Sequence, residues 1–148
     1  MPDIKIQRFT PDSRSYQIER LAHAHPWSLS VFCQSHGPAY YNRQLVVNEE
    51  TVGYIICQQV LDELTIFNIA IDPKHQGQGF SHYLMQDTLN YAANNGMLVF
   101  LEVRESNTPA ISLYQTYGFR ELAKRPDYYK TLNGYEDALV MKWQSEQN

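Results

Sequence analysis

One stretch of this chain has the make-up of an anion cradle. Asp72-Pro73-Lys74-His75-Gln76-Gly77-Gln78-Gly79-Phe80-Ser81 falls between a strand pattern and a long helical one. Its two glycines let the backbone turn sharply and come close to a ligand. The helix that follows offers unsatisfied amides and the positive end of its dipole, and a diphosphate suits such a place. The loop lacks the Gly-Lys-Ser/Thr ending of a triphosphate-hydrolysing loop and the GxGxxG spacing of a dinucleotide site. Taken alone, it is also what a plain strand-to-helix turn looks like.

Few other side chains are placed for chemistry. Glu102 is a carboxylate in the otherwise apolar run Leu98–Val103. Burial there is expected to raise its pKa and improve it as a base, whereas a strand-end acid turned to solvent or paired with Arg104 would be inert. Tyr114 shares a helical face with Asn107, Ala110 and Ile111. Spacing does not separate it from Tyr117 as a candidate acid, and Asn107 reads equally as a helix cap. His23 and His25 are not at a metal-ligand spacing on one face, and no metal site is expected. Cys33 and Cys57 are too few and too far apart for a disulfide framework or a zinc ribbon.

These residues need elements to position them. Alternation over Ile4–Phe9 predicts a strand. Asp12-Ser13 caps a helix carrying Tyr16, Ile18, Leu21 and Ala22, Pro26 interrupts it, and a short helix follows over Ser28–Gln34. Strands are expected at Ala39–Val47, Gly53–Val60 and Leu64–Ile71, joined by short turns into antiparallel hairpins. Phe80–Asn94 has helical spacing and ends at Gly96. Leu98–Val103 reads as a central strand covered on both faces. A helix over Thr108–Tyr117 closes at Gly118. Strands at Phe119–Ala123 and Asp137–Trp143 are linked by the polar stretch Lys124–Gly134, and a polar tail occupies Gln144–Asn148. Strands 4 and 5 flank a helix and should form a right-handed parallel βαβ unit. The order predicts an α/β fold (mixed α+β) of three layers, its mixed sheet mostly antiparallel.

With 148 residues, the chain has the length of a single domain, 1–148. A net charge of −4 argues against direct nucleic-acid binding and suits a basic protein or peptide partner. No apolar run is long enough for a membrane span, and the start has no signal-peptide core. A reducing, cytoplasmic setting is expected. Eleven tyrosines are many for this length. Trp27, Tyr128 and Tyr129 are candidates to wall a groove for a peptide.

Several segments together resemble one family. Gln76, Gly79 and Ser81 are similar to the acyl-CoA signature Q/R-x-x-G-x-G/A of the GNAT superfamily of N-acetyltransferases, with serine where that family has glycine or alanine. His25-Pro26-Trp27-Ser28, Leu101-Glu102-Val103-Arg104-Glu105-Ser106-Asn107, Ala110-Ile111-Ser112-Leu113-Tyr114 with Tyr117-Gly118-Phe119, and Arg125, Tyr128-Tyr129 and Glu136-Asp137-Ala138 resemble its ribosomal-protein-alanine N-acetyltransferase subfamily. The resemblance implies a GNAT-like fold with a splay between strands 4 and 5. It implies acetyl-CoA as cosubstrate, its diphosphate held by Gln76, Gly77, Gln78, Gly79, Phe80 and Ser81. Its pantetheine would run along Asn68, Ile69, Ala70 and Ile71, and Asn107 would contact the coenzyme. Glu102 would be the base, through water, and Tyr114 the acid. The implied acceptor is the N-terminal alanine of a small-subunit ribosomal protein. Two other readings are a small-amine or lysine acetyltransferase and a non-catalytic acyl-CoA sensor.

Overall fold

The computed structural model describes residues 2–146; Met1 and the last two residues of the tail expected over Gln144–Asn148 lie outside the described residues. The chain runs β1 (Ile4–Arg8), α1 (Ser13–Ala22), α2 (Leu29–Gln34), β2 (Arg43–Val47), β3 (Glu50–Val60), β4 (Glu63–Ile71), a 3-10 turn (Pro73–His75), α3 (Phe80–Asn94), β5 (Leu98–Arg104), α4 (Thr108–Thr116), β6 (Arg120–Thr131) and β7 (Gly134–Trp143). The strands form one sheet in the order β1-β2-β3-β4-β5-β7-β6. Among the described residues only β4 and β5 pair in parallel, as the helix between them requires.

Local chemistry sets these elements. Asp12 accepts the Ser15 amide at 2.8 Å while the Ser15 hydroxyl answers the Asp12 amide, a capping box that starts α1. Asn48 and Glu49 both take positive φ and close a two-residue hairpin between Val47 and Glu50. Helices cover both faces of the sheet. Leu84, Met85 and Leu89 of α3 pack on Leu45, Ile55, Leu64 and Val99, with Ala110, Ile111 and Tyr114 of α4 at the edge of that core. Ile18 of α1 and Phe32 of α2 pack on Tyr54, Ile56 and Ala70 on the other side. No helix among the described residues is long and apolar enough to cross a membrane.

Two irregularities shape the centre. Parallel pairing of β4 and β5 runs only from Glu63↔Leu98 to Ile66↔Leu101. Beyond it β4 stays with β3 and β5 with β7, so the two strands part. The partition begins at a bulge. Ile56 pairs with Asn68 and Cys57 with Ile66, which leaves Phe67 as an extra residue. Strand alternation would put Ile66 and Asn68 on one face. The bulge sends Ile66 to the α3 side and Asn68 to the α1 side.

Three expectations are corrected. The polar stretch Lys124–Gly134 is not a linker: β6 continues to Thr131 and turns into β7 at Gly134. As the sheet's edge strand, β6 is exposed from Arg120 to Tyr128 and has no apolar periodicity to read. The strand expected from Ala39 begins at Arg43. Before it Tyr40 makes one isolated antiparallel bridge to Gln58, with Tyr41 N donating to the Cys57 carbonyl at 2.8 Å and Gln59 N to the Ala39 carbonyl at 2.6 Å. The ladder is interrupted at Asn42, whose carboxamide accepts the Cys57 amide at 3.3 Å and donates to the Ser35 carbonyl at 2.8 Å. Finally, β5 is covered on one face only. Val99, Leu101 and Val103 are buried, but Phe100, Glu102 and Arg104 are half-exposed on the other.

Candidate active site

The loop after β4 is held from within. Asp72 accepts Arg14 Nη2 at 2.8 Å and the Lys74 amide at 3.1 Å. Burial works to raise the Asp72 carboxyl, but Arg14 and the Lys74 amide outweigh it and hold it below the usual range. Gln76 Nε2 donates to the Ile71 carbonyl at 2.9 Å and ties the loop back to the end of β4. Gly77 and Gly79 have φ of 80° and 79°, and a Cβ on either would meet nothing within 4 Å. Glycine is therefore required there by backbone conformation, and the space outside is open. Among the described residues no side chain caps the start of α3, where Gly79 is the N-cap. Gln78 is exposed, while Phe80 and Ser81 are half-buried in the first turn.

Where β4 and β5 part, a cleft of about 1200 Å³ opens. Ile66, Phe67, Asn68 and Ile69 form one side and Leu101, Glu102, Val103 and Arg104 the other; Ala70 and Ile71 continue β4 into the two cores. On the β5 side, the backbone of Phe67–Ile71 has no strand partner. Asn107, Tyr114, Trp27 and Tyr129 also line the cleft. Tyr128, exposed on β6, lies outside the lining but packs edge-on against Tyr129.

Glu102 is not isolated among apolar groups as its run suggests. Its Oε1 lies 2.9 Å from Arg125 Nε, with the carboxylate 22% exposed. Burial, then the charge of Glu102, pushes the Tyr129 hydroxyl up to about 12, and the same pair of causes raises Tyr128. Arg104 does not pair with Glu102. It bonds Glu136 Oε1 at 2.9 Å and stacks over the Tyr129 ring.

The two tyrosines that spacing left equal are separated in space. The Tyr117 hydroxyl meets His82 Nδ1 at 2.9 Å in the groove between α3 and α4. Tyr114 reaches the cleft, and its hydroxyl has no hydrogen-bond partner among the described residues. Burial, reinforced by Tyr117, raises its pKa, so it stands as a protonated phenol with a donor to spare. Asn107 caps α4 through the Ala110 amide at 3.3 Å and stays exposed at the cleft mouth. Among the described residues, no group of three or more His, Cys, Asp and Glu is arranged to hold a metal.

Sequence reasoning missed one cluster. Glu19, 1% exposed, accepts the Tyr54 hydroxyl at 2.6 Å, Asn68 Nδ2 at 2.9 Å and the Trp27 amide at 2.8 Å. His23 lies against the same group and lines the cleft. A signal was present: Ser15, Ile18, Glu19 and Ala22 fall on one helical stripe, so the carboxylate sits on the buried face.

A parallel pair of strands parting at a bulge, beside a glycine turn that opens a helix, defines a class. The chain belongs to the acetyltransferase (GNAT) family, whose model matches residues 6–119. It is accordingly an N-acetyltransferase. It is 44% identical over 128 residues to the ribosomal protein bS18-alanine N-acetyltransferase of Escherichia coli (strain K12), covering 86% of each chain. It is 40% identical over 142 residues to the enzyme of that name from Salmonella typhimurium, covering 95% of this chain and 96% of the relative. The crystal structure of the ribosomal-protein-S18-alanine N-acetyltransferase from Escherichia coli matches with a TM-score of 0.89 and 41% identity, over 97% of this chain and 94% of that one.

Proposed function

We propose that this chain moves the acetyl group of acetyl-CoA onto a protein N-terminal α-amine, the acceptor being the N-terminal alanine of the small-subunit ribosomal protein bS18. The observation that carries the reading is the meeting of Glu102 and Tyr114 in one cleft at the unpaired edge of β4. A sensor of acyl-CoA would need neither side chain.

Amides of Gly77, Gln78, Gly79, Phe80 and Ser81 bind the coenzyme's diphosphate, with Gln76 fixing the loop that presents them. Pantetheine lies along the free backbone edge of Asn68, Ile69, Ala70 and Ile71. The Asn68 carboxamide is committed to Glu19, so its part is main-chain. Asn107 meets the coenzyme from the start of α4. The acceptor nitrogen attacks the thioester carbon, and Glu102 receives a proton from that nitrogen. The C–S bond breaks and the thiolate takes the proton of Tyr114. Trp27 and Tyr129 wall the acceptor peptide, with Tyr128 packed edge-on against Tyr129 from outside the cleft. Cys33 and Cys57 are unpaired, in keeping with work in the cytoplasm.

The purified chain, given acetyl-CoA and a peptide with the bS18 N-terminus, should add one acetyl group at the α-amine by mass spectrometry. Equal rates on a blocked peptide's lysine or on a small amine would overturn the acceptor. Coenzyme binding without any transfer would overturn catalysis.

A further inference from the structure

An α-ammonium sheds two protons on becoming an amide. The mechanism proposed above places one on Glu102, a carboxylate already engaged by Arg125. The first proton, whose loss creates the nucleophile, has no acceptor in that scheme.

The buried cluster around Glu19 supplies one, because its hydrogen bonds have a single consistent direction. Glu19, receiving the Tyr54 hydroxyl and the Trp27 amide, is an acceptor. The Asn68 atom facing it at 2.9 Å must then be the donating Nδ2. That leaves Asn68 Oδ1 turned to His23 Nε2, 3.0 Å away. An oxygen facing a ring nitrogen requires that the nitrogen donate, so the proton of the neutral imidazole sits on Nε2. Nδ1 keeps its lone pair and has no partner among the described residues. The imidazole lines the same cleft as Glu102 and Tyr114.

We propose that His23 takes the first proton of the acceptor ammonium on Nδ1, with Glu19 and Asn68 fixing the tautomer that exposes that lone pair. This rests on the N-terminal-amine reading above. The N–H bond of the ammonium breaks, its pair stays on nitrogen, and His23 becomes an imidazolium that Glu19, 3.4 Å from Nε2, stabilises. The amine then attacks, the adduct's proton passes to Glu102, and Tyr114 supplies the thiolate. The proton on Glu102 restores Tyr114, and the one on His23 leaves to water.

The other titratable groups of the cleft are His25 before α2, Glu102 and Arg104 on β5, Tyr114 on α4, Tyr129 on β6 and Glu136 on β7. The test therefore compares His23→Gln with the wild type at each pH. At pH 7, where only about a tenth of an α-amine is neutral, kcat/KM for the peptide should fall roughly tenfold, with the KM for acetyl-CoA unchanged. The deficit should shrink towards pH 9, where the amine is already neutral. Wild-type kinetics, or a deficit equal at every pH, would overturn the proposal. A chain that acetylates another amine but no α-amine overturns the acceptor assignment alone, and His23 is judged by the same ratio on that amine. Independently of turnover, 15N-histidine NMR of the whole protein should show the neutral form of His23 carrying its proton on Nε2, and the Nδ1–H tautomer would overturn the proposal.

Discussion

Replacing Glu19 by glutamine tests the buried cluster directly. The carboxylate offers two acceptor oxygens to three donors: Tyr54 and Asn68 on Oε1, and Trp27 on Oε2. A carboxamide has one acceptor oxygen and one donating nitrogen. Its best orientation keeps the oxygen towards Tyr54 and Asn68 and turns the NH2 group against the Trp27 amide. One hydrogen bond to a charged acceptor is lost, at about 1.5–3 kcal/mol, and two donors are left facing each other, at about 1–3 kcal/mol. Removing a buried charge returns part of this, because the carboxylate no longer has to be desolvated. The net expectation is a loss of about 2–3 kcal/mol, which for a chain of this length lowers Tm by roughly 5–10 °C. Urea unfolding followed by circular dichroism measures it, and the slope should not change. The partner substitution Tyr54→Phe should be non-additive with Glu19→Gln, since the two share a bond. A loss below about 1 kcal/mol would refute the reasoning, as it would mean the cluster is not dry and directional.

Other substitutions separate chemistry from stability. Tyr114→Phe removes a hydroxyl with no hydrogen-bond partner among the described residues, so Tm should stay within about 1–2 °C while kcat drops at least tenfold; steady-state kinetics beside calorimetry decides it. Gly53→Ala places a Cβ 2.5 Å from Ile71 Cδ1 and 2.6 Å from the Ala70 carbonyl oxygen. The backbone atom cannot yield cheaply, and urea titration should show a loss of about 1–3 kcal/mol. Asp72 has its folded pKa below its unfolded one, so its contribution is fully present above about pH 4 and is lost as pH falls through the folded value. In denaturant titrations from pH 3 to 7, Asp72→Asn should be destabilised at neutral pH and lose less on acidification; parallel curves would contradict the role given to Arg14.

The sequence carried the order of elements because most strands and helices here bury one face, and burial leaves a period. It carried the glycine turn before α3 because positive φ at Gly77 and Gly79 leaves little choice of residue. It did not carry β6. An edge strand exposed from Arg120 to Tyr128 has no apolar period, and its polar residues look like a loop. Nor did it carry the surroundings of Glu102: the cation beside that carboxylate is Arg125, 23 positions away and brought near because β7 pairs with both β5 and β6.

Residue types and spacing by themselves thus determined most of the elements, their sequence along the chain and the amide-rich turn, while the roles of Glu102 and Tyr114 came only from the family resemblance. Tertiary structure decided that Tyr114 lines the cleft while Tyr117 bonds His82, what holds Glu102, and that Glu19, His23, Asn68 and Tyr54 form one directed cluster. The physical reason is range. Backbone conformation and helical or strand periods act over a few neighbouring residues, whereas the direction of a buried hydrogen bond depends on partners up to 49 positions apart that meet only when α1 packs across the bulge of β4.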